Sequence, residues 1–329
     1  MSENGDYETS SSYVPDHDFS SARKAYEVHA GRSYDNARSS GKTIGDLLPD
    51  HLESKAEKLL CLLCDETESM KKTPGIFVSK GPYLIHEART EYLGPDVEVS
   101  VGAFGDVPNG ETYPAQARPF AKGQMLKTRF EELVMEAGGG GTIHENSELL
   151  ALYYARRVKM PNAVGPVLVI ITDEMPYEEV DPETAELVHV KLKNAISTKD
   201  IFDELKKKFS VYVILQPYGG GYDSSITARV HKKWLEYVDS EHIADMPEPD
   251  RVVDVIFGIL AKESNKIDYF REEIEGRQTA EQVATVYRAL KTIHAASIAS
   301  GPKKPRQLKA AGQSTMFKTG GGKKSDDLA

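Results

Sequence analysis

Short unbroken apolar runs alternate along this chain with segments whose apolar residues recur every three or four positions. Leu59-Leu60-Cys61-Leu62-Leu63-Cys64 is apolar throughout, the pattern of a strand buried on both faces of a parallel sheet. Val167-Leu168-Val169-Ile170-Ile171 and Val211-Tyr212-Val213-Ile214-Leu215 repeat it. Val97 to Phe104 predicts a further strand, and Ala115–Phe120, bounded by prolines, predicts a short edge strand. Helical spacing predicts Gln124–Glu136, with Met125, Phe130, Leu133 and Val134 on one face, then Glu145–Val158, Ile201–Phe209 and Asp223–Val238. Pro249-Asp250 opens another helix, with apolar Val252, Val253, Ile256, Ile259 and Leu260, and 279–297 reads as the last. Strands separated by helices predict an α/β fold: a doubly wound, mostly parallel central sheet with one antiparallel edge strand and helices on both faces. That is a Rossmann-like arrangement.

Composition divides the chain further. Residues 1–50 read as a disordered acidic N-terminus followed by a packing arm, since 1–20 hold five acids and no Lys or Arg. The α/β domain is placed at 51–265, a helical extension at 266–300 and a disordered basic tail at 301–329. The net charge of −10 is uneven: residues 302–329 hold seven Lys/Arg against Asp326 and Asp327, so the tail is +5 and the remainder −15. That balance argues against nucleic-acid binding by the whole surface, and nucleic-acid contact by the tail is not expected. Met316-Phe317 is the only apolar island of the tail. Cys61 and Cys64 are three apart on a strand and so face opposite sides, which predicts two core thiols, consistent with a reducing cytoplasm. No basic start leads into an apolar stretch and no run approaches a bilayer span, so neither a signal peptide nor a membrane segment is expected.

The candidate chemistry sits at strand ends. Asp65-Glu66-Thr67-Glu68-Ser69 follows the first apolar run and places a carboxylate and two hydroxyls at alternate positions. On an extended segment these point one way, and hard oxygens converging on one point suit a small divalent cation. Gly138-Gly139-Gly140-Gly141-Thr142 leads into a helix, and Thr172-Asp173 closes a strand. In doubly wound sheets ligands bind outside the carboxyl ends of the strands, where the strand order reverses. His86-Glu87 and His144-Glu145 lack a second histidine four residues on, where Thr90 and Glu148 stand, so a zinc-protease motif is rejected. Asp106 ends another strand at the same edge, and Trp234 reads as a core aromatic.

Taken in order, the three loops resemble the von Willebrand factor A (VWA) family and its metal-ion-dependent adhesion site (MIDAS). The family pattern is Asp-x-Ser-x-Ser, then a Thr, then an Asp, and the resemblance covers roughly 55–265. It implies that Asp65, Thr67, Ser69, Thr142 and Asp173 hold Mg²⁺ or Mn²⁺, directly or through water. It further implies a cytoplasmic, non-enzymatic module binding an Asp or Glu carboxylate of a protein partner, within an assembly that can include an AAA+ ATPase. Departures from the family pattern are Thr67 for its first Ser, and Glu68 and Glu174 where Gly is common. Glu66, Glu68 and Glu174 are expected to form an acidic rim. Two alternatives stay open: a metal-dependent hydrolase or phosphoryl-transfer enzyme, and a scaffold with a degenerate metal site.

Overall fold

The computed structural model describes residues 34–70, 73–134, 142–221, 223–246 and 248–295. The expectations for residues 1–20, Gly138–Gly141 and the basic tail fall outside these residues.

Six strands form one sheet: β1 (Leu59–Asp65), β2 (Glu98–Phe104), β3 (Ala115–Ala117), β4 (Val167–Thr172), β5 (Ser210–Leu215) and β6 (Ile243–Asp245). Their order across the sheet is β6-β5-β4-β1-β2-β3. All pairs are parallel except β2 with β3, which is antiparallel. This is the doubly wound order, and its reversal lies between β1 and β4. The apolar runs behave as read: every residue of β1 and β4 is buried.

Helices cover both faces. On one lie α1 (Thr73–Glu87), α2 (Met125–Glu131), α6 (Val252–Glu263), α7 (Ile267–Arg277) and α8 (Ala280–Ala289). On the other lie α3 (Ser147–Arg157), α4 (Thr198–Lys206) and α5 (Ser224–Trp234). Leu48, just after the short helix Ile44–Leu47, is buried in this second core. Alternation along β1 sends Leu60, Leu62 and Cys64 into the first core, and Cys61 and Leu63 into the second. The two thiols are thus on opposite faces and unbridged.

Several boundaries differ from the sequence expectation. α2 ends at Glu131, and Met125 is 52% exposed, not on the apolar face. Leu133 and Val134 are still buried, from the turn beyond the helix. α5 stops at Trp234 and α8 at Ala289. α6 has no polar stripe between Val252 and Ala261, since all ten residues are buried. Gly75, Gly81 and Pro82 interrupt the apolar spacing of α1, so the sequence pattern predicts no helix there. A Cβ at Gly81 would lie 2.7 Å from the Phe130 ring, so the missing side chain is what lets α1 approach α2.

Candidate metal centre

The site forms where the strand order reverses. β1 and β4 are neighbours, with Cys64 opposite Ile171, so Asp65 and Thr172 end the two strands side by side. Thr172 Oγ1 donates to Asp65 Oδ2 at 2.8 Å, joining the two strand ends. Asp65 Oδ1 accepts from the Thr67 amide at 3.0 Å and from Thr67 Oγ1 at 2.6 Å. Thr67 Oγ1 lies 3.1 Å from Ser69 Oγ, and Ser69 Oγ donates to Asp173 Oδ1 at 2.7 Å. Two carboxylates and two hydroxyls from two strand ends are therefore linked in one chain of oxygens.

The convergence has a different cause from the one read in the sequence. Glu68–Met70 is a turn of 3₁₀ helix, so Asp65 to Ser69 is not extended. The Asp65 carboxylate bends the loop by accepting from Thr67, and the helical turn then brings Ser69 round. The Glu68 side chain lies outside the described residues.

Asp173 is held from a third direction. The Gly219 amide donates to its Oδ2 at 2.9 Å, from the turn Tyr218–Gly220 after β5. Gly219 has φ of 55°, a left-handed conformation that costs glycine little. The same edge is tied to α1: Thr73 Oγ1 donates to Gln216 Oε1 at 2.7 Å, at the end of β5.

Thr142 is drawn to a different partner. Its hydroxyl contacts Asp106 Oδ2 at 3.5 Å and donates to the His144 carbonyl at 3.1 Å. Asp106 also accepts from Tyr177 at 2.8 Å. The ring of His144 stacks on that of Tyr177, with centroids 5.1 Å apart. Backbone bonds from Met175 to Ile143, and from Glu145 to Met175, pin this second loop to the third. Thr142 thus contacts Asp106 and His144, and its loop is joined to the loop after Asp173 by these backbone bonds.

Two groups missed or misread in the sequence complete the site. Glu145 is 2% exposed and Glu174 is 4% exposed, and each has one carboxylate oxygen, Oε2, without a hydrogen-bond partner among the described residues. Glu66 is buried as well, so the expected acidic rim of Glu66 and Glu174 lies inside the protein. Burial, then the neighbouring Asp65, Glu174, Glu111 and Asp106 carboxylates, push Glu145 up to about 12. Burial, then Asp65, Asp173 and Asp106, push Glu174 up to about 9. Burial and Asp173 also raise Asp65. The chief charges acting on these acids are thus other acids. A glutamate so placed behind a strand end has no signature in sequence, because Glu145 reads as an ordinary helix-start residue.

The donor set fits a small hard cation. Hydroxyls and carboxylates are the oxygens Mg²⁺ and Mn²⁺ prefer, and buried carboxylates with unpartnered oxygens are electrostatically short of a cation. Among the described residues no group of three or more His, Cys, Asp or Glu side chains is placed to hold a metal ion.

These acids set a pH dependence for the metal-free protein. Glu148, fully buried in α3, is raised from 4.5 to about 8, by burial first; its carboxylate accepts from Asn146 and the Tyr177 amide. Below 4.5 both folded and unfolded chains hold the proton. Above it the unfolded chain releases the proton while the folded chain keeps it, so stability falls with rising pH and levels off once pH passes about 8. The expected slope is roughly 1.4 kcal/mol per pH unit for each such carboxyl. Denaturant midpoints in EDTA should fall from pH 5 to pH 8, and Glu148→Gln should flatten the fall. A midpoint that rises over that range would contradict this assignment.

No protein-family model matches the chain, and no curated protein matches it. Among solved structures it is similar to the pilus adhesin SpaC of Lactobacillus rhamnosus GG in its open conformation. Identity there is 9%, the TM-score 0.46, and coverage 68% of this chain and 31% of that one. It is also similar to proximal thread matrix protein 1 of the mussel byssus, at 12% identity and a TM-score of 0.39. That likeness covers 66% of this chain and 48% of the other. The chain thus spans about a third of the adhesin and half of the matrix protein. Likenesses this distant assign no activity. Among the described residues no helix is long and apolar enough to cross a membrane.

Proposed function

We propose that this chain is a protein-interaction module of the von Willebrand A type, which binds a carboxylate of its partner through a divalent cation. The observation that supports this most is the oxygen chain at the strand reversal: Asp65, Thr67, Ser69 and Asp173, joined at 2.6–3.1 Å. Thr67 and Ser69 would offer hydroxyl oxygens to Mg²⁺ or Mn²⁺, with Asp65 and Asp173 acting directly or through water and Thr142 joining from the neighbouring loop. When bound, the cation would supply an electrophilic position that accepts one more anionic oxygen from outside. The chain's own residues do the positioning. Asp65 orients the Thr67 hydroxyl, Thr172 orients Asp65, and the Gly219 amide fixes Asp173.

Neutral hydroxyls next to the cation leave its charge less quenched than an all-carboxylate cage does, which favours capture of a partner's Asp or Glu. A cytoplasmic place in a multiprotein assembly, with an AAA+ ATPase among its members, belongs to this proposal on the family resemblance alone. Crystals grown with Mn²⁺ test the site. Anomalous density between Thr67, Ser69 and Asp173 is expected. A fully occupied lattice with no density there would overturn the reading.

A further inference from the structure

The edge strand β3 turns two polar side chains into the protein. Ala115 and Ala117 lie in the second core, so Gln116, and Arg118 just after the strand, point to the opposite side of the sheet. Both are buried, at 1% and 5% exposure. An apolar residue would fill either place without the cost of burying an amide or a guanidinium.

Their partners come from three segments distant in sequence. The Gln116 carboxamide pairs with Val134 as a strand would: Oε1 accepts from the Val134 amide at 2.9 Å, and Nε2 donates to the Val134 carbonyl at 2.7 Å. Nε2 also reaches Glu66 Oε2 at 3.4 Å, on the residue after Asp65. Arg118 donates from Nη1 to the Leu47 carbonyl at 3.2 Å and from Nη2 to the Glu132 carbonyl. Burial lowers the Arg118 guanidinium from its usual value, and the Glu132 and Glu66 carboxylates act against that. The Val134 side chain packs with Ala37, Leu47 and Tyr113.

Leu47 belongs to an amino-terminal arm whose carbonyls are held by side chains of the domain. Tyr113 donates to Lys42 at 3.1 Å, Tyr153 to Pro49 at 2.7 Å and Arg157 to Asp50 at 2.7 Å. Arg118 extends that series to Leu47 and joins it to residues 132–134.

We propose that Gln116 and Arg118 are positioning residues for the candidate metal centre: they clasp the loop of Asp65 to residues 132–134 and to the arm, so that the docked arm helps to hold Asp65 and Thr67 in place. This deepens the metal-site reading by naming what supports that site, and its bearing on cation binding rests on that reading. Without the clasp Glu66 is a buried carboxylate that has lost an amide donor and a facing charge, and the loop must turn to bring it to water. Asp65 and Thr67 flank it and turn with it.

The test compares the full chain with Gln116→Met, Arg118→Met and Tyr212→Phe. Tyr212 bonds to Glu263, so its variant controls for the loss of a hydrogen bond elsewhere in the fold. The reporter is the Thr67 amide, which donates to Asp65 and not to the clasp. In EDTA its hydrogen exchange is expected to quicken about tenfold in both clasp variants and to keep the wild-type rate in Tyr212→Phe. Calorimetry with Mg²⁺ is expected to show about tenfold weaker binding in the clasp variants alone. Gln116→Glu, or Arg118→Lys, stands in for a methionine variant that does not fold. Unchanged Thr67 exchange, an equal change in Tyr212→Phe, or an unchanged Mg²⁺ affinity would each overturn the proposal. A wild-type chain that binds no Mg²⁺ removes the metal reading, while quickened Thr67 exchange still supports the clasp.

Discussion

On the proposed function, Mg²⁺ is expected to stabilise this protein and Asp65→Ala to abolish that gain. A cation that binds only the folded state adds about 2.7 kcal/mol when its concentration is roughly a hundred times Kd. For a domain of this size that is a rise of several degrees in Tm. Asp65 stands at the centre of the oxygen chain, accepting from both Thr67 and Thr172 and acting electrostatically on Glu145 and Glu174. Removing it takes away a proposed ligand and releases the Thr67 hydroxyl that it orients. Asp65→Asn separates charge from shape. In EDTA two effects oppose, relief of the repulsion from Asp173 and loss of the bond that Oδ2 accepts from Thr172, so its Tm should stay close to that of the wild type. In Mg²⁺ it should gain little. Thermal melts of the three proteins, with metal and with EDTA, check this. An Asp65→Ala protein that keeps the full Mg²⁺ increment would remove Asp65 from the site.

Trp234→Ala is expected to destabilise the fold by about 3–5 kcal/mol, the usual cost of truncating a large buried aromatic. Trp234 is fully buried on α5 and packs edge-on against Phe202, with ring centroids 5.5 Å apart, and against Tyr237 at 6.2 Å. Its indole also reaches the candidate site, because Nε1 donates to the Glu174 carbonyl at 2.8 Å. That bond anchors the residue after Asp173. Trp234→Phe keeps most of the packing and removes the donor, leaving a buried carbonyl unsatisfied at a cost of about 1–3 kcal/mol. It should also weaken Mg²⁺ affinity by loosening the Asp173 loop. Denaturant midpoints measure the first effect and calorimetry the second. If Trp234→Phe binds Mg²⁺ as the wild type does, the indole serves the core alone.

The double role of Trp234 illustrates where sequence reading stops. An aromatic within Lys232-Lys233-Trp234-Leu235 is legible as the buried side of an amphipathic helix. That its N–H meets a carbonyl 60 residues away depends on how α5 crosses the end of β4. The helix α1 shows the opposite failure. Its glycines read as breaks, yet Gly81 is a contact with Phe130 that appears only once two helices pack.

Hydrophobic pattern by itself determined the central strands, the alternation of strand and helix and the separation of Cys61 from Cys64, because side-chain periodicity is a local consequence of backbone geometry. It also brought Asp65 and Asp173 to the same edge, since parallel strands must all end on one side. Tertiary structure decided the rest. It linked Asp65, Thr67, Ser69 and Asp173 into one hydrogen-bonded chain, and it turned Thr142 toward Asp106. It also buried Glu145 and Glu174, which a linear reading leaves at the surface. The physical reason is that burial and charge–charge contact depend on what neighbouring elements cover, and that is fixed only when sheet and helices close around the strand ends.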